Sequence, residues 1–224
     1  SEPAFWEMGL LDTEAWTASW INKPGEKQGK ASLPAQYLRK EFTTRKNIRL
    51  ARVYVTSLGL YQLYINGEKV GKDLFTPGWT SYQHRLQYQT YDVTDMLQRE
   101  NTMGAILGDG WYRGFLGWKG ERSFYGDQLA LLVQLEITYT NGKRETIVSD
   151  GNWRAAYGPI LASDIYNGEK YDARQAMDGW ATSGFDDSAW SGVGIVDHPK
   201  DMLVAPAGVP VRAIEEIRPI ELIT

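Results

Sequence analysis

The sequence predicts an all-β fold: an antiparallel β-sandwich, jelly-roll-like and galactose-binding-like, with short helical turns. Apolar residues alternate, although imperfectly, at Leu50, Val53 and Val55, and a period of two is typical of strands with one buried face. Turn residues recur at intervals short enough for a sandwich. No long segment with a 3.6-residue period separates the strands, as a βαβ arrangement would require.

The elements are predicted in chain order from these local signals. A short helical turn is expected over residues 12–16, where Asp12 is a suitable N-cap. Asn66-Gly67 and Asn141-Gly142 are expected to close β-hairpins, because Asn-Gly supplies the positive φ angles of a tight turn. The predicted strands are residues 36–42, 48–56, 60–65, 69–71, 85–91, 102–107, 129–139 and 144–149.

Three regions are expected along the chain. Residues 1–30 are predicted to be an upstream connector, because the apolar residues between Phe5 and Leu11 have no strand partner nearby. Residues 31–205 form the predicted β-sandwich domain. Residues 206–224 are extended and contain proline, which indicates a linker or the first strand of a following domain. Both ends are therefore expected to be cuts within a longer protein.

Composition excludes several classes of function. A net charge of −4 gives no electrostatic reason to expect nucleic acid or an anionic membrane as a partner. No segment approaches the roughly 20 apolar residues of a membrane span. The chain has no cysteine, and its two histidines, His84 and His198, are far apart, which disfavours a zinc site or a Ser-His-Asp arrangement. The compartment cannot be determined from cysteine usage.

Aromatic residues are the unusual feature. Nine Trp and thirteen Tyr stand against six Phe, a bias toward rings that carry a polar atom. Such rings suit surfaces that face sugars, but β-sandwiches also place Trp and Tyr in their cores.

Five short runs of residues occur together in this chain: Asn66-Gly67, Pro77–Thr80, Tyr88–Thr94, Gly108–Gly114 and Tyr166–Arg174. Their order and spacing resemble those of one known family, the N-terminal β-sandwich domain of bacterial α-L-rhamnosidases. The resemblance implies a non-catalytic accessory module of a glycoside hydrolase, inactive alone, because the catalytic carboxylates of that family lie on a later helical domain. Some relatives are described as modules that hold rhamnose through calcium, and others as mainly structural.

The family implies two partners, L-rhamnose or a rhamnose-containing glycan and the catalytic domain of the same parent chain. It would place the parent protein in the bacterial periplasm or outside the cell. Two other functions remain open: a structural spacer that orients the catalytic domain, and a small stand-alone glycosidase. The latter needs two carboxylates roughly 5 to 10 Å apart. Asp109 with Glu169 is one such pair, but its spacing does not single it out.

The run Gly108–Gly114 places Asp109, Trp111 and Arg113 in a glycine-rich turn after an apolar strand. A pyranose stacks on an aromatic ring, and its hydroxyls bind planar groups such as Arg and Asp. Alternatively, Trp111 belongs to the core, and Asp109 and Arg113 form a structural ion pair. Trp118 follows in a loop with glycines and charges that make burial difficult, so it is expected to be an exposed platform for a sugar or for the catalytic domain.

The segment 164–174 is rich in oxygen ligands, which suit calcium. Asp172 with Arg174 could equally form an ion pair that fixes this loop. Gln83 and His84 occupy positions where a calcium-binding module is expected to have an acid and an amide, which argues against bound calcium. The predicted metal ligands are Asp164, Asn167 and Asp172. The predicted sugar-binding residues are Trp79, Tyr82, Asp109, Trp111, Arg113, Trp118, Tyr125, Asn167 and Glu169.

Overall fold

The computed structural model describes residues 8–10, 12–26 and 31–221. It confirms the predicted class, since two antiparallel sheets pack face to face as a sandwich. Within these residues the helical elements are α1 (Gly110–Arg113) and 3₁₀ turns at Thr13–Ala15, Thr94–Met96 and Ala173–Gln175. None of them is long and apolar enough to cross a membrane. The strands are β1 (Trp20–Asn22), β2 (Gln36–Thr43), β3 (Ile48–Leu58), β4 (Leu60–Ile65), β5 (Glu68–Lys69), β6 (Asp73–Leu74), β7 (Leu86–Gln87), β8 (Gln89–Asp92), β9 (Glu100–Gly108), β10 (Phe115–Leu116), β11 (Glu121–Arg122), β12 (Ala130–Tyr139), β13 (Arg144–Val148), β14 (Arg154–Tyr157), β15 (Ile160–Asp164), β16 (Gly168–Tyr171), β17 (Ser191–Gly192), β18 (Gly194–Val196), β19 (Leu203–Val204) and β20 (Val211–Arg212).

Each main sheet has six strands. The first sheet has the order β18-β1-β12-β3-β8, and β13 also pairs with β12. The second has the order β17-β14-β2-β9-β4-β5. Short pairs, among them β10 with β11 and β15 with β16, extend from the sandwich, and they carry the candidate site.

Apolar residues run almost continuously along the central strand β12. Residues 130–135 are all buried, because one face of the strand points into the core and the other is covered by the segment before β1. Gln134 fixes that segment: its side-chain amide donates to the Ala15 carbonyl at 2.8 Å and its oxygen accepts from the Thr17 amide at 2.9 Å. A buried polar side chain needs such partners.

Both Asn-Gly hairpins are confirmed. Asn66 and Gly67 have φ angles of 53° and 85° and join β4 to β5. Asn141-Gly142 joins β12 to β13, with Gly142 at φ 79°. The first turn is additionally fixed by the Asn66 side chain, whose oxygen accepts from the Thr102 amide at 2.9 Å.

The strand predicted over residues 85–91 is two strands in different sheets. β7 pairs in parallel with β19, whereas β8 joins β3 in the first sheet. The chain changes partner at Tyr88, whose amide donates to the Val204 carbonyl at 3.0 Å. Local sequence could not predict this switch, because the partner strand lies more than a hundred residues later.

Residues on both sides of the predicted domain pair with strands inside it. Within the predicted connector, β1 lies between β12 and β18, with Trp20 and Ile21 buried. After residue 205, β20 pairs with β6, and the Arg212 Nε donates to Asp73 at 2.7 Å. Residues 1–7, 11 and 27–30 of the predicted connector, among them Phe5, Trp6 and Leu11, lie outside the described residues.

Candidate functional site

Three aromatic side chains form a platform at one end of the sandwich. The rings of Trp79 and Trp111 are stacked, with centroids 5.6 Å apart and planes 6° apart. Phe75 packs against Trp111 at 5.9 Å. Phe75 and Trp79 are 51% and 52% exposed, so the platform presents apolar ring surface to solvent, while Trp111 is half-buried and also packs on the core.

Buried tyrosines support this platform from below. Tyr82 is only 2% exposed, and its ring packs against Tyr112 and Tyr125 at 5.2 and 4.9 Å. Its hydroxyl donates to the Gly78 carbonyl at 3.0 Å, and burial raises the pKa of this phenol. The Tyr125 hydroxyl accepts from the Trp79 indole nitrogen at 3.1 Å. Tyr82 therefore positions the platform and offers no surface to a ligand.

Trp118 lies at the tip of the β10–β11 hairpin and is fully exposed, which confirms its predicted exposure. Gly117 and Gly120, on either side, have φ angles of 70° and 67°, which most residues adopt only with strain. Between this hairpin and the platform lies an open groove of about 560 Å³, called the hairpin groove below. It is lined by Trp79, Leu116, Gly117, Trp118, Lys119, Glu121, Phe124, Tyr125 and Tyr166.

The hairpin groove combines apolar rings with free charged groups. Trp118, Phe124 and Tyr166 are all more than 60% exposed. The side chains of Lys119 and Glu121 make no hydrogen bond or ion pair with any described residue. The groove therefore offers stacking surfaces beside one free cationic donor and one free anionic acceptor.

A buried cluster of charges holds the hairpin on the sandwich. Asp109 and Arg113 are 1% and 2% exposed. Asp109 accepts from the Arg113 Nε at 2.6 Å and the Arg122 Nη2 at 2.7 Å, and from the Ser32 hydroxyl at 2.8 Å. Arg113 also pairs with Glu26. These contacts match the alternative in which Asp109 and Arg113 form a structural ion pair. Because both side chains are buried, neither is free to contact a sugar.

Two carboxylates balance the charge of Arg113 within this cluster. Burial lowers the pKa of Arg113, but the carboxylates of Asp109 and Glu26 outweigh burial and raise it, so the guanidinium stays charged. The Arg113 Nη2 is buried without a hydrogen-bond partner. The two carboxylates, with the Asp127 carbonyl that accepts from Nη1 at 3.5 Å, therefore stabilise the buried positive charge.

Asp164 organises the loop on the other side of the hairpin groove. One of its oxygens accepts from the backbone amides of Tyr166 and Asn167, each at 2.9 Å. The other accepts from the Phe115 amide at 2.8 Å. This carboxylate therefore fixes the position of Tyr166 relative to β10, whereas Asn167 and Glu169 are exposed and lie outside the lining of the groove.

Two of the three residues predicted as calcium ligands have protein partners in this arrangement. Calcium takes about six to eight oxygen ligands, and both oxygens of Asp164 accept backbone hydrogen bonds. Asp172 forms a bidentate pair with Arg174, at 2.8 Å for each bond, which lowers the pKa of Asp172 to about 2. In the described ranges no three His, Cys, Asp or Glu side chains form a group that could hold a metal. Calcium binding therefore stays a prediction.

The structure thus brings together Trp79, Trp118 and Tyr125 in one groove, with Trp111 behind Trp79. The groove also includes residues that were not predicted as site residues. Phe124 and Tyr166 lie directly beside the predicted site residues Tyr125 and Asn167, and this adjacency was the signal that could have found them. Lys119 and Glu121 carried no signal, because exposed charges are common in loops. The unpredicted residues are Lys119, Glu121, Phe124 and Tyr166.

Fold and surface together define an all-β sandwich domain that presents an exposed aromatic groove. The chain belongs to the α-L-rhamnosidase N-terminal domain family, whose sequence profile matches residues 46–215. An α-L-rhamnosidase of Streptomyces avermitilis is 41% identical over 96% of this chain and 22% of its own length. The crystal structure of native α-L-rhamnosidase from Aspergillus terreus superposes with a TM-score of 0.91 and 41% identity, over 93% of this chain and 25% of that one.

A crystal structure of Streptomyces avermitilis α-L-rhamnosidase complexed with L-rhamnose superposes with a TM-score of 0.79 and 44% identity, over 82% of this chain and 18% of that one. The chain therefore spans about a quarter or less of the length of the relatives it matches. These relatives contain further residues well beyond this domain.

Proposed function

We propose that this domain is a non-catalytic, carbohydrate-binding accessory module of an α-L-rhamnosidase, and that its ligand is L-rhamnose or a rhamnose-containing glycan. The observation that supports it is the hairpin groove, in which the fully exposed Trp118 faces a lining with a free cation and a free carboxylate. Trp118 is exposed together with Phe124 and Tyr166 in this groove, and a contiguous exposed apolar patch is typical of a binding surface.

The chemistry of the groove matches that of a sugar. A pyranose has an apolar face that stacks on an indole and hydroxyls that exchange hydrogen bonds with charged groups. Trp118 and Tyr166 supply rings, and Lys119 and Glu121 supply a donor and an acceptor without partners among the described residues. A monosaccharide offers few atoms, so a dissociation constant in the millimolar to high-micromolar range is expected.

Calorimetric titration with L-rhamnose, with and without calcium, tests the proposal. We expect binding by the unaltered chain, and a loss of affinity of about fivefold or more for Trp118→Ala, since a central aromatic contact is worth roughly 1 to 3 kcal/mol. Tyr171→Ala is the matched control, because Tyr171 is 54% exposed but lines neither this groove nor the platform. It should bind like the unaltered chain.

The alternative is a structural spacer that packs on the rest of the parent enzyme. It is favoured by the size of the apolar patch, in which Trp79, Trp118, Phe124 and Tyr166 are all exposed, since a neighbouring domain would cover such a patch equally well. The absence of any rhamnose-dependent heat at tens of millimolar sugar, with calcium present, would favour the spacer.

Catalysis by this domain alone is not expected. Glycosidic cleavage uses a pair of carboxylates across a cleft, whereas Glu121 is the only carboxylate among the described residues that line the hairpin groove. Asp109 is buried and paired. The purified chain should therefore not hydrolyse an aryl α-L-rhamnoside, and turnover that survives repeated chromatography would contradict this.

A further inference from the structure

A second groove lies on the other side of Trp79. It has a volume of about 310 Å³ and is called the tail groove below, because residues 206–211 form one of its walls. The antiparallel pairing of β20 with β6 holds that wall against the sandwich. The opposite wall contains Phe75, Trp79 and Trp111. Trp79 lines both grooves, so the two form neighbouring sites on one surface.

The described residues that line the tail groove offer no free charge. Asp73 is the only charged residue among them, and its carboxylate accepts from the Arg212 Nε at 2.7 Å and the Tyr91 hydroxyl at 3.1 Å. The side chains of Gln87 and Thr90 also line the groove and make no hydrogen bond with any described residue. These groups supply donors and acceptors that are neutral.

This combination selects a class of ligand. Three aromatic rings offer apolar faces, and an amide with a hydroxyl offers uncharged hydrogen bonds. A charged ligand would find no partner there, and a purely apolar one would leave Gln87 and Thr90 without water or another partner. A neutral, polyhydroxylated molecule with an apolar face, which is a carbohydrate, satisfies both sets of groups.

Phe75 supports a role for ligand binding. Its φ angle is 55° and its side chain is 51% exposed. A bulky residue other than glycine is uncommon in this left-handed conformation, and exposure gives its ring little packing in return. Such backbone strain concentrates at sites where ligands bind. At this position the strain places an aromatic ring at the edge of the tail groove.

We propose that the tail groove is a second sugar subsite, so that the module binds two adjacent residues of a glycan across Trp79 rather than one terminal rhamnose. This inference rests on the proposed function of the hairpin groove, which holds the first sugar. The ligand class is therefore a neutral rhamnose-containing oligosaccharide of at least two units.

Calorimetric titration of the whole chain with L-rhamnose and with an α-L-rhamnosyl disaccharide tests the inference. The disaccharide should bind about tenfold more tightly than L-rhamnose, because it fills both grooves. Phe75→Asn removes the ring but keeps a residue that tolerates a positive φ angle, so the fold should be retained, and the thermal midpoint checks this. Phe75→Asn should weaken disaccharide binding more strongly than L-rhamnose binding, because Phe75 lines the tail groove and not the hairpin groove.

Gln87→Ala should weaken disaccharide binding in the same selective way, whereas Trp118→Ala should weaken both sugars. If L-rhamnose binds but the disaccharide binds no more tightly, or if Phe75→Asn weakens both sugars equally, the second subsite is overturned while the proposed function stands. If neither sugar binds, the proposed function fails and the second subsite fails with it.

Discussion

Asp109→Ala is expected to destabilise the domain strongly, because the Asp109 carboxylate is the acceptor at the centre of the buried charge cluster. It accepts from Ser32, Arg113 and Arg122 at 2.8, 2.6 and 2.7 Å. These partners come from the segment before β2, from α1 and from β11. Removal of the carboxylate takes this acid partner from two guanidinium groups, and Arg113 keeps its pair with Glu26.

The expected magnitude follows from the burial of this pair. Breaking a buried ion pair by removing one partner costs about 3 to 5 kcal/mol, and Asp109 at 1% exposure is not screened by solvent. For a chain of roughly 150 to 250 residues, each kcal/mol lowers Tm by about 2 to 4 °C. Asp109→Ala should therefore lower Tm by about 6 to 20 °C.

Thermal unfolding followed by circular dichroism at neutral pH measures this effect. Asp172→Ala is the matched control, because it also removes an Asp–Arg pair of comparable geometry, but Arg174 is 88% exposed there. Exposed pairs contribute little to stability, and the N-cap bond that the Arg174 amide donates to Asp172 adds the contribution of one helix cap. This control should therefore lower Tm by only about 2 to 4 °C. A fall in Tm no larger for Asp109→Ala than for Asp172→Ala would refute the assignment of a structural role to the cluster.

Three further outcomes are expected. Gly67→Val should cost about 1 kcal/mol or more, because a branched residue is strained at positive φ, and its Cβ would also meet Thr182 at 2.9 Å. Gly142→Val introduces the same backbone strain, but its Cβ would meet no neighbouring atom within 4 Å. It should therefore lower the denaturant midpoint less than Gly67→Val does. Burial lowers the pKa of His198, although the charges of Asp197 and Asp201 act in the opposite direction. The unfolded chain therefore binds the proton more readily than the folded chain. The free energy of unfolding should fall as the pH decreases below 6.5, the ordinary pKa of histidine. Urea unfolding of His198→Phe, measured at several pH values, should lack that part of the pH dependence. An unchanged slope of the unfolding free energy against pH would contradict this prediction. Trp118→Ala should leave Tm unchanged, because that side chain is fully exposed, and a clear fall would show that it packs within the domain.

The parts of the fold that depend on local signals were predictable. Asn66-Gly67 and Asn141-Gly142 closed hairpins as expected, since the turn conformation is set by the two residues themselves. The exposure of Trp118 followed from its glycine and charged neighbours. By contrast, β7 and β8 were predicted as one strand, because their separate partners are determined by tertiary contacts.

The chemistry of the motif around Asp109 depended on residues that local sequence does not reveal. Asp109, Trp111 and Arg113 suggested a sugar site when considered together. The buried partners of Asp109 include Ser32, which is 77 residues earlier, and the partner of Arg113 is Glu26, 87 residues earlier. Polar residues in a glycine-rich turn can point outward or inward, and only the packing of distant segments decides which.

The same limit applies to the aromatic residues. Tyr82 and Trp79 are three positions apart, yet one ring is buried below the platform and the other is exposed on it. Tyrosine and tryptophan side chains both occur in buried and in exposed positions, so residue type alone does not distinguish the two. The sequence therefore predicted that an aromatic surface exists near residues 79–125, but not which of its rings face a ligand.

The most direct test of the sugar-binding account is an NMR titration of the tryptophan indole N–H signals with L-rhamnose and with an α-L-rhamnosyl disaccharide. The chain has nine tryptophans, and single Trp→Phe variants assign their signals. The account predicts saturable shifts for Trp118 and Trp79 with either sugar, an additional shift for Trp111 with the disaccharide, and no shift for the buried Trp20 and Trp153. Unchanged signals for Trp79 and Trp118 at tens of millimolar sugar would contradict it.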